Sequence, residues 1–255
     1  LTLYIPIMVS AQTALSDAID DARFSVEVGT TINNGATPLW LAANKNGTVG
    51  IQNNNAWIRT AIFRPAEADS SYNWRIGYGF DLIGGPQLTR KWSGWIQQAF
   101  IDIELKKVRL SIGTKERPME LKDQELSSGS QTFGINARPI PQIRVEIPDY
   151  ILFSHTLPWL SIKGHFGYGM MMDGPWQRYY LKKDQHYALE ALLHSKALYL
   201  KLGNEQHFPL SFETGIEMAT IFGGKIKNAM NIKGYNFTMS HNLKSFLKAI
   251  YSGGS

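Results

Sequence analysis

Six histidines, His155, His165, His186, His194, His207 and His241, are the first residues to weigh for chemistry. None stands in an HExxH pattern or another metal-ligand spacing, and no GxSxG run offers a nucleophile elbow. Ser161 and His165 share one strand face, and Asp102 is an available carboxylate. A hydrolytic triad would require the three to meet within hydrogen-bond reach, which spacing alone does not provide. Glu213 and Glu217 also share a face, but lie about 13 Å apart at roughly 3.3 Å per residue. That is too far for paired-carboxylate glycosidase chemistry. With zero cysteines there is no thiolate metal site, no thiol nucleophile and no disulfide framework. GYG at 77–79 and GYGM at 167–170 are too short to cradle phosphate, and read as glycines that thin a wall or relieve twist. The expectation is a non-enzymatic protein with no cofactor and no metal.

The elements that carry these residues alternate. YNWRIGYGFDL at 72–82 places Tyr72, Trp74, Ile76, Tyr78, Phe80 and Leu82 on one face, and Asn73, Arg75, Gly77, Gly79 and Asp81 on the other. Side chains of a strand point alternately to opposite faces, so this is a strand pattern. It recurs in VRLSIGTK, LSIKGHFGY and the stretches around Leu198–Leu202 and Leu210–Met218. About ten strands of this kind are expected, near 24–32, 37–44, 55–64, 72–83, 94–105, 108–116, 139–147, 159–170, 192–203 and 209–222, most of them long enough to cross a bilayer at a tilt. One helix is expected in the last long loop, where Leu243, Phe246, Leu247 and Ile250 repeat at helical spacing behind an Asn242 cap. DQHYALEALLHSKALYLKLG could start as a helix at Ala188–Leu193, but its second half alternates, and a strand is favoured.

A soluble sandwich alternates as well. Three features favour a membrane barrel. The polar faces carry charges of both signs and glycines at mid-strand, as a wet lumen can; an Arg or Lys facing lipid there would cost about 2–4 kcal/mol. The apolar faces concentrate Trp, Tyr and Phe near strand ends, as interfacial girdles do. Connections alternate in length: Lys106-Lys107 is tight, 117–138 long, 148–158 moderate, 171–191 long, 204–208 short and the segment from 223 long. The fold class expected is therefore all-β, an antiparallel transmembrane β-barrel of outer-membrane type, incomplete, with long extracellular loops.

Composition fits export. LTLYIPIMVSA at 1–11 reads as the end of a secretory signal peptide cut before Gln12. The alternative is a buried first strand, against which Pro6 argues. Residues 12–255 then read as the N-terminal portion of a barrel whose later strands are missing. The net charge of +5, from 26 basic and 21 acidic residues, is mild and contains no nucleic-acid-type basic block. Beyond residue 11 no apolar run approaches the roughly 20 residues of a membrane helix.

The segment from Gly113 to Tyr150, GTKERPMELKDQELSSGSQTFGINARPIPQIRVEIPDY, is dense in charge and punctuated by Pro118, Pro139, Pro141 and Pro148. With TPLWLAAN at 37, FRP at 63, KGH at 163, HSKALYLKLG at 194 and FETGIEMATIFGG at 212, it resembles the capsule assembly Wzi family of outer-membrane proteins. The resemblance spans nearly all of the chain after the leader. It implies a Gram-negative outer-membrane barrel, monomeric at full length, that anchors capsular or other acidic surface polysaccharide in the manner of a lectin. The N-terminal helical element known from some members has no counterpart at Gln12–Asp21.

On the matched motif, Lys115, Glu116, Arg117, Glu120, Asn136, Arg138 and Arg144 are the candidate polysaccharide contacts. Their cations could pair with carboxylate or phosphate groups, Arg bidentately. The alternative is internal pairing, Arg117 with Glu116 or Glu120 and Arg144 with Glu146, fixing an inward-folded loop. Trp92, Trp95, Trp159 and Trp176 could stack on sugars or anchor at the membrane interface. A porin-like channel with anion preference is the competing function.

Overall fold

The computed structural model describes residues 7–11, 21–35, 37–50, 54–66, 74–85, 93–127, 129–130, 132–174, 177–178, 181–182, 184–204 and 209–251. Its contacts divide the chain into two compact units, Leu1–Pro139 and Ile140–Ser255. The protein is all-β and antiparallel, and its strands form an open series that does not close into a barrel.

In the first unit β1 (Ile7–Ala11), β2 (Arg23–Ile32), β3 (Asn54–Arg64), β4 (Trp74–Gly85), β5 (Ser93–Leu105) and β6 (Val108–Thr114) each pair antiparallel with the next. Lys106-Lys107 makes the expected tight turn, with Lys106 at φ 55°. Ile7–Ala11, expected as the end of a leader, here forms a strand that sets Ile7 opposite Val28; residues 1–6 and 12–20 lie outside the described set.

One expected strand is corrected. Residues 37–44 are not extended: Leu39–Ala42 forms a short helix, α1, entered from Pro38 at φ −55°. Four residues are too few to show a 3.6-residue period, and Leu39 and Leu41 around Trp40 mimic the two-residue one.

In the second unit β7 (Gln142–Ser154), β8 (Leu157–Met170), β10 (Leu192–Leu202) and β11 (Phe212–Phe222) are antiparallel neighbours. A second small sheet joins β9 (Tyr187–Leu189), β12 (Lys225–Lys227) and β13 (Phe237–Thr238). The moderate connection expected at 148–158 is instead a hairpin. β7 runs through Pro148 to Ser154, and only His155 and Thr156 separate it from β8. Pro148, which cannot donate to the ladder, sits where the β7–β8 register shifts between Ile147 and Ile151. A proline is tolerated inside a strand at such an irregularity.

The helix α2 (Leu243–Ile250) lies where expected, and the Asn242 side chain accepts from the Ser245 N–H at 3.0 Å. That bond satisfies one of the unpaired donors of the first turn.

The two faces of these strands have opposite chemistry, and the burial is inverted relative to a water-soluble core. Along β5, Ile101, Asp102, Ile103, Glu104 and Leu105 are 53, 4, 42, 4 and 57 % exposed. The same holds elsewhere. Val26, Val28, Ile58, Phe80, Leu82, Ile112, Leu198 and Ile216 stand exposed, while Thr31, Asn55, Asp81, Ser111 and Glu146 are buried. Apolar packing on the polar side of the first unit includes a cluster of Ala42, Val49, Trp57 and Ile83, with Trp95 against it, and the stacked rings of Phe63 and Phe100.

Candidate functional site

The charged segment after β6 begins on the polar face of the first unit. Gly113 sits at φ +120°, and a Cβ there would fall 2.1 Å from Ala99 O, so the chain can pass close against β5 only without a side chain. Beyond it, Lys115 reaches back: its Nζ lies 2.5 Å from Asp102 Oδ2 and 4.6 Å from the centre of the Phe100 ring. Glu116 is held three ways. Its Oε2 accepts from Arg59 Nη2 at 2.9 Å, its Oε1 from Gln97 Nε2 at 2.7 Å, and its own N–H donates to Gln98 Oε1 at 2.9 Å.

Arg59 also forms a fork onto Asp81, Nε to Oδ1 at 3.1 Å and Nη2 to Oδ2 at 2.5 Å, and Gln98 Nε2 donates to the same carboxylate at 3.1 Å. One guanidinium therefore bridges two carboxylates contributed 35 residues apart by β4 and the segment after β6. Nearby in sequence, Glu104 bonds both Arg75 and Arg109, the latter at 2.8 Å. Arg117 donates to Ser111 Oγ at 3.0 Å and to the Lys115 carbonyl at 3.2 Å.

Further along, the segment 119–138 is built by local side-chain bonds. Gln124 mimics a strand partner for Met119, accepting from its N–H at 2.8 Å and donating to its carbonyl at 2.6 Å. The Asp123 carboxylate accepts from the N–H groups of Glu125 and Leu126, both at 2.8 Å. Those two donors hold its pKa below the ordinary aspartate value. The loop 43–50 is stitched to this segment: Asn44 N–H donates to Asn136 Oδ1 at 2.8 Å, Asn44 Nδ2 to the Ser127 carbonyl at 2.7 Å, and Asn46 N–H to the Ile135 carbonyl at 2.7 Å. Asn44 and Asn46 both adopt left-handed φ, near 55° and 50°, a conformation that suits asparagine.

At the end of the segment the Arg138 guanidinium lies 3.8 Å over the Trp95 ring, while Trp95 Nε1 donates to Gln97 Oε1 at 2.8 Å. Arg138 remains solvent-exposed, as does Asn136. A planar cation stacked on an indole keeps two parallel donors with which to meet a carboxylate.

The candidate residues therefore divide. Lys115, Glu116 and Arg117 engage partners on the polar face of the first unit, and Glu120 lies half-buried beside them in sequence. Asn136 and Arg138 come together at the 43–50 loop and Trp95. Arg144 belongs to the second unit, where its Nε lies 2.6 Å from Glu146 Oε2, the internal pair the sequence offered as the alternative. Trp159 is 48 % exposed on β8, and Trp92 and Trp176 lie outside the described residues. Arg59, Asp81 and Gln97 were not among the expected site residues. Their signal was a charged or amide side chain at mid-strand on the polar face, but their partners could be found only once the register was known.

The groups first weighed for catalysis have other occupations. Asp102 is held by Lys115, Glu213 accepts from Tyr150 Oη at 3.1 Å, and Glu217 from Tyr199 Oη at 2.5 Å. Among the described residues no three His, Asp or Glu side chains gather as metal ligands. No known protein-family model, curated protein or solved structure matches the chain.

Proposed function

We propose that the chain is part of a bacterial outer-membrane β-barrel that holds acidic surface polysaccharide at the cell surface without chemical turnover. The observation that carries this reading is the inverted alternation of the strands. On β5 three apolar side chains about half exposed flank two carboxylates 4 % exposed. A sheet facing water on that side would present a broad apolar surface, whereas a sheet facing hydrocarbon is satisfied by it. Backbone groups within lipid must be paired between strands, and antiparallel ladders do this once a barrel is complete.

The polysaccharide part of the proposal rests on the resemblance of the 113–150 segment to the capsule assembly Wzi family and on the exposed Arg138–Trp95 stack. Lys115, Glu116 and Arg144, being committed to internal partners, act in this reading as supports of the segment, and Arg138 with Asn136 as the glycan contact. An acidic sugar would meet the guanidinium edge with its carboxylate and the Asn136 amide with its hydroxyls.

The test is retention of surface polysaccharide by cells carrying Arg138→Ala at unchanged abundance in the outer membrane. Retention is expected to fall, Arg138→Lys to rescue only part of it because an ammonium cannot donate as a fork, and stepwise ion conductance to be absent in planar bilayers. Undiminished retention in Arg138→Ala, or channel steps from the purified protein, would overturn the proposal.

A further inference from the structure

The segment after β11 has a composition unlike the rest of the chain. Between Gly223 and Tyr251 it carries Lys225, Lys227, Lys233, Lys244 and Lys248, together with His241, and no Asp or Glu. It is also apolar on its surface: Met230, Ile232, Tyr235, Phe237, Leu243, Leu247 and Tyr251 are all exposed, Met230 and Tyr251 by more than four-fifths. A soluble loop rarely combines so many exposed large apolar side chains with an unopposed cationic charge.

The geometry of α2 sorts these features into sectors. One side is fixed to the sheet. The Phe246 ring lies 5.2 Å from Tyr168 and 5.1 Å from Phe222, Ala249 is buried, and Tyr168 Oη donates to the Phe246 carbonyl at 3.0 Å. Lys196 Nζ bonds the Ile250 carbonyl at 2.5 Å, satisfying an otherwise open group at the helix C-terminus.

A second side carries Leu243, Leu247 and Tyr251, which follow one another at four-residue steps and so form one stripe. Next to that stripe come Lys244 and Lys248, also four residues apart and both exposed. The strand face that α2 covers continues into Phe166, Leu198 and Ile216, the same apolar surface that the proposed function assigns to lipid.

We infer that the segment Gly223–Tyr251 is an interfacial anchor, in which Leu243, Leu247 and Tyr251 enter the boundary of an anionic bilayer while Lys244 and Lys248 meet the lipid phosphates. An apolar stripe beside a lysine row, on a helix packed against an apolar sheet surface, is the arrangement by which amphipathic helices lie in a membrane interface. Charge decides between this occupant and a neutral apolar one. The lysines on β12 and α2 face no carboxylate of their own segment, and the sole carboxylate bonded to them among the described residues is Glu190, 2.7 Å from Lys225. This inference rests on the barrel reading, and the experiment separates the two.

The chain has no cysteine, so a single introduced one can carry a nitroxide label. The full chain bearing Leu247→Cys is reconstituted in vesicles of mixed phosphatidylcholine and phosphatidylglycerol, and in phosphatidylcholine alone. Label accessibility to oxygen and to a water-soluble nickel complex then reports depth. Ile101→Cys serves as the reference for the strand surface.

The Leu247 label is expected to be oxygen-accessible and nickel-protected in the anionic vesicles. Replacing Lys244 and Lys248 by glutamine should lower its immersed-to-lifted ratio by about fivefold per lysine. A label in water at position 247 with lipid contact at position 101 overturns the anchor and leaves the barrel reading standing. Water at both positions overturns both. A position-247 label that stays in water in the vesicles and is immobilised on adding an acidic polysaccharide assigns the surface to glycan, and likewise overturns the anchor.

Discussion

Replacing Arg59 by leucine is expected to destabilise the folded protein by about 3 kcal/mol, the lower end of what breaking a buried ion pair costs. Asp81 has no exposed side-chain surface, and Glu116 is 20 % exposed. Without the guanidinium, two carboxylates are left facing each other across a site where, among the described residues, the Gln97 and Gln98 amides are the donors that still answer them. Partial exposure of Glu116 lets water screen some of that repulsion, which places the effect low in the range. The measurement is the midpoint of denaturant unfolding, in detergent or lipid, followed through the tryptophans.

The diagnostic variant adds Asp81→Leu and Glu116→Gln to Arg59→Leu. It removes the stranded charges, so most of the lost stability should return. If the triple variant is no more stable than the single one, the penalty comes from lost packing and the charge argument fails.

An effect of similar size is expected at Gly29, a residue with no polar group of its own. It stands directly opposite Trp57 in the β2–β3 register, and the indole fills the space a side chain there would take. A Cβ at Gly29 would fall 2.0 Å from the Trp57 ring, so Gly29→Ala must push a 2 % exposed indole out of the cluster it forms with Ala42, Val49 and Ile83. Overpacking of this kind costs about 1–3 kcal/mol, and outright loss of a buried Trp about 3–5 kcal/mol. Gly94→Ala is the control, since its Cβ would meet nothing nearer than Ile83 O at 3.5 Å.

A double-mutant cycle isolates the contact. In a Trp57→Ala background, Gly29→Ala should add almost nothing. Additive losses would mean that the ring and the glycine do not share one space.

The phase of nearly every strand was legible because a period of two survives in any window of eight residues, and the burial of Asp102 and Glu104 between Ile101, Ile103 and Leu105 follows from that phase alone. Leu39–Ala42 was misread because its helix is shorter than the pattern that would betray it. The β7–β8 hairpin was missed because Pro148 reads as a loop unless one knows that a bulge will receive it.

Pairs within one strand face were accessible, as Arg144 with Glu146 shows. Lys115 with Asp102 and Glu116 with Arg59 span 13 and 57 residues, and no local rule pairs them. The Gly29–Trp57 contact had a sequence sign that was not used, a glycine on the polar face lying across from an aromatic. Gly79 repeats it between Phe63 and Phe100, and Gly215 with Tyr199.

Those rings bear on how long the ladder beside them keeps its protons. Amide exchange requires water and its catalyst to reach the backbone groups that hold the strands together. The Trp57 indole crowds against Gly29, and the Phe63 and Phe100 rings against Gly79, and both glycines are buried, whereas Gly215 beside Tyr199 is exposed. Deuterium uptake should therefore be slow at Gly29 and Gly79, two side-chain-free positions where sequence intuition would look for the loosest weave.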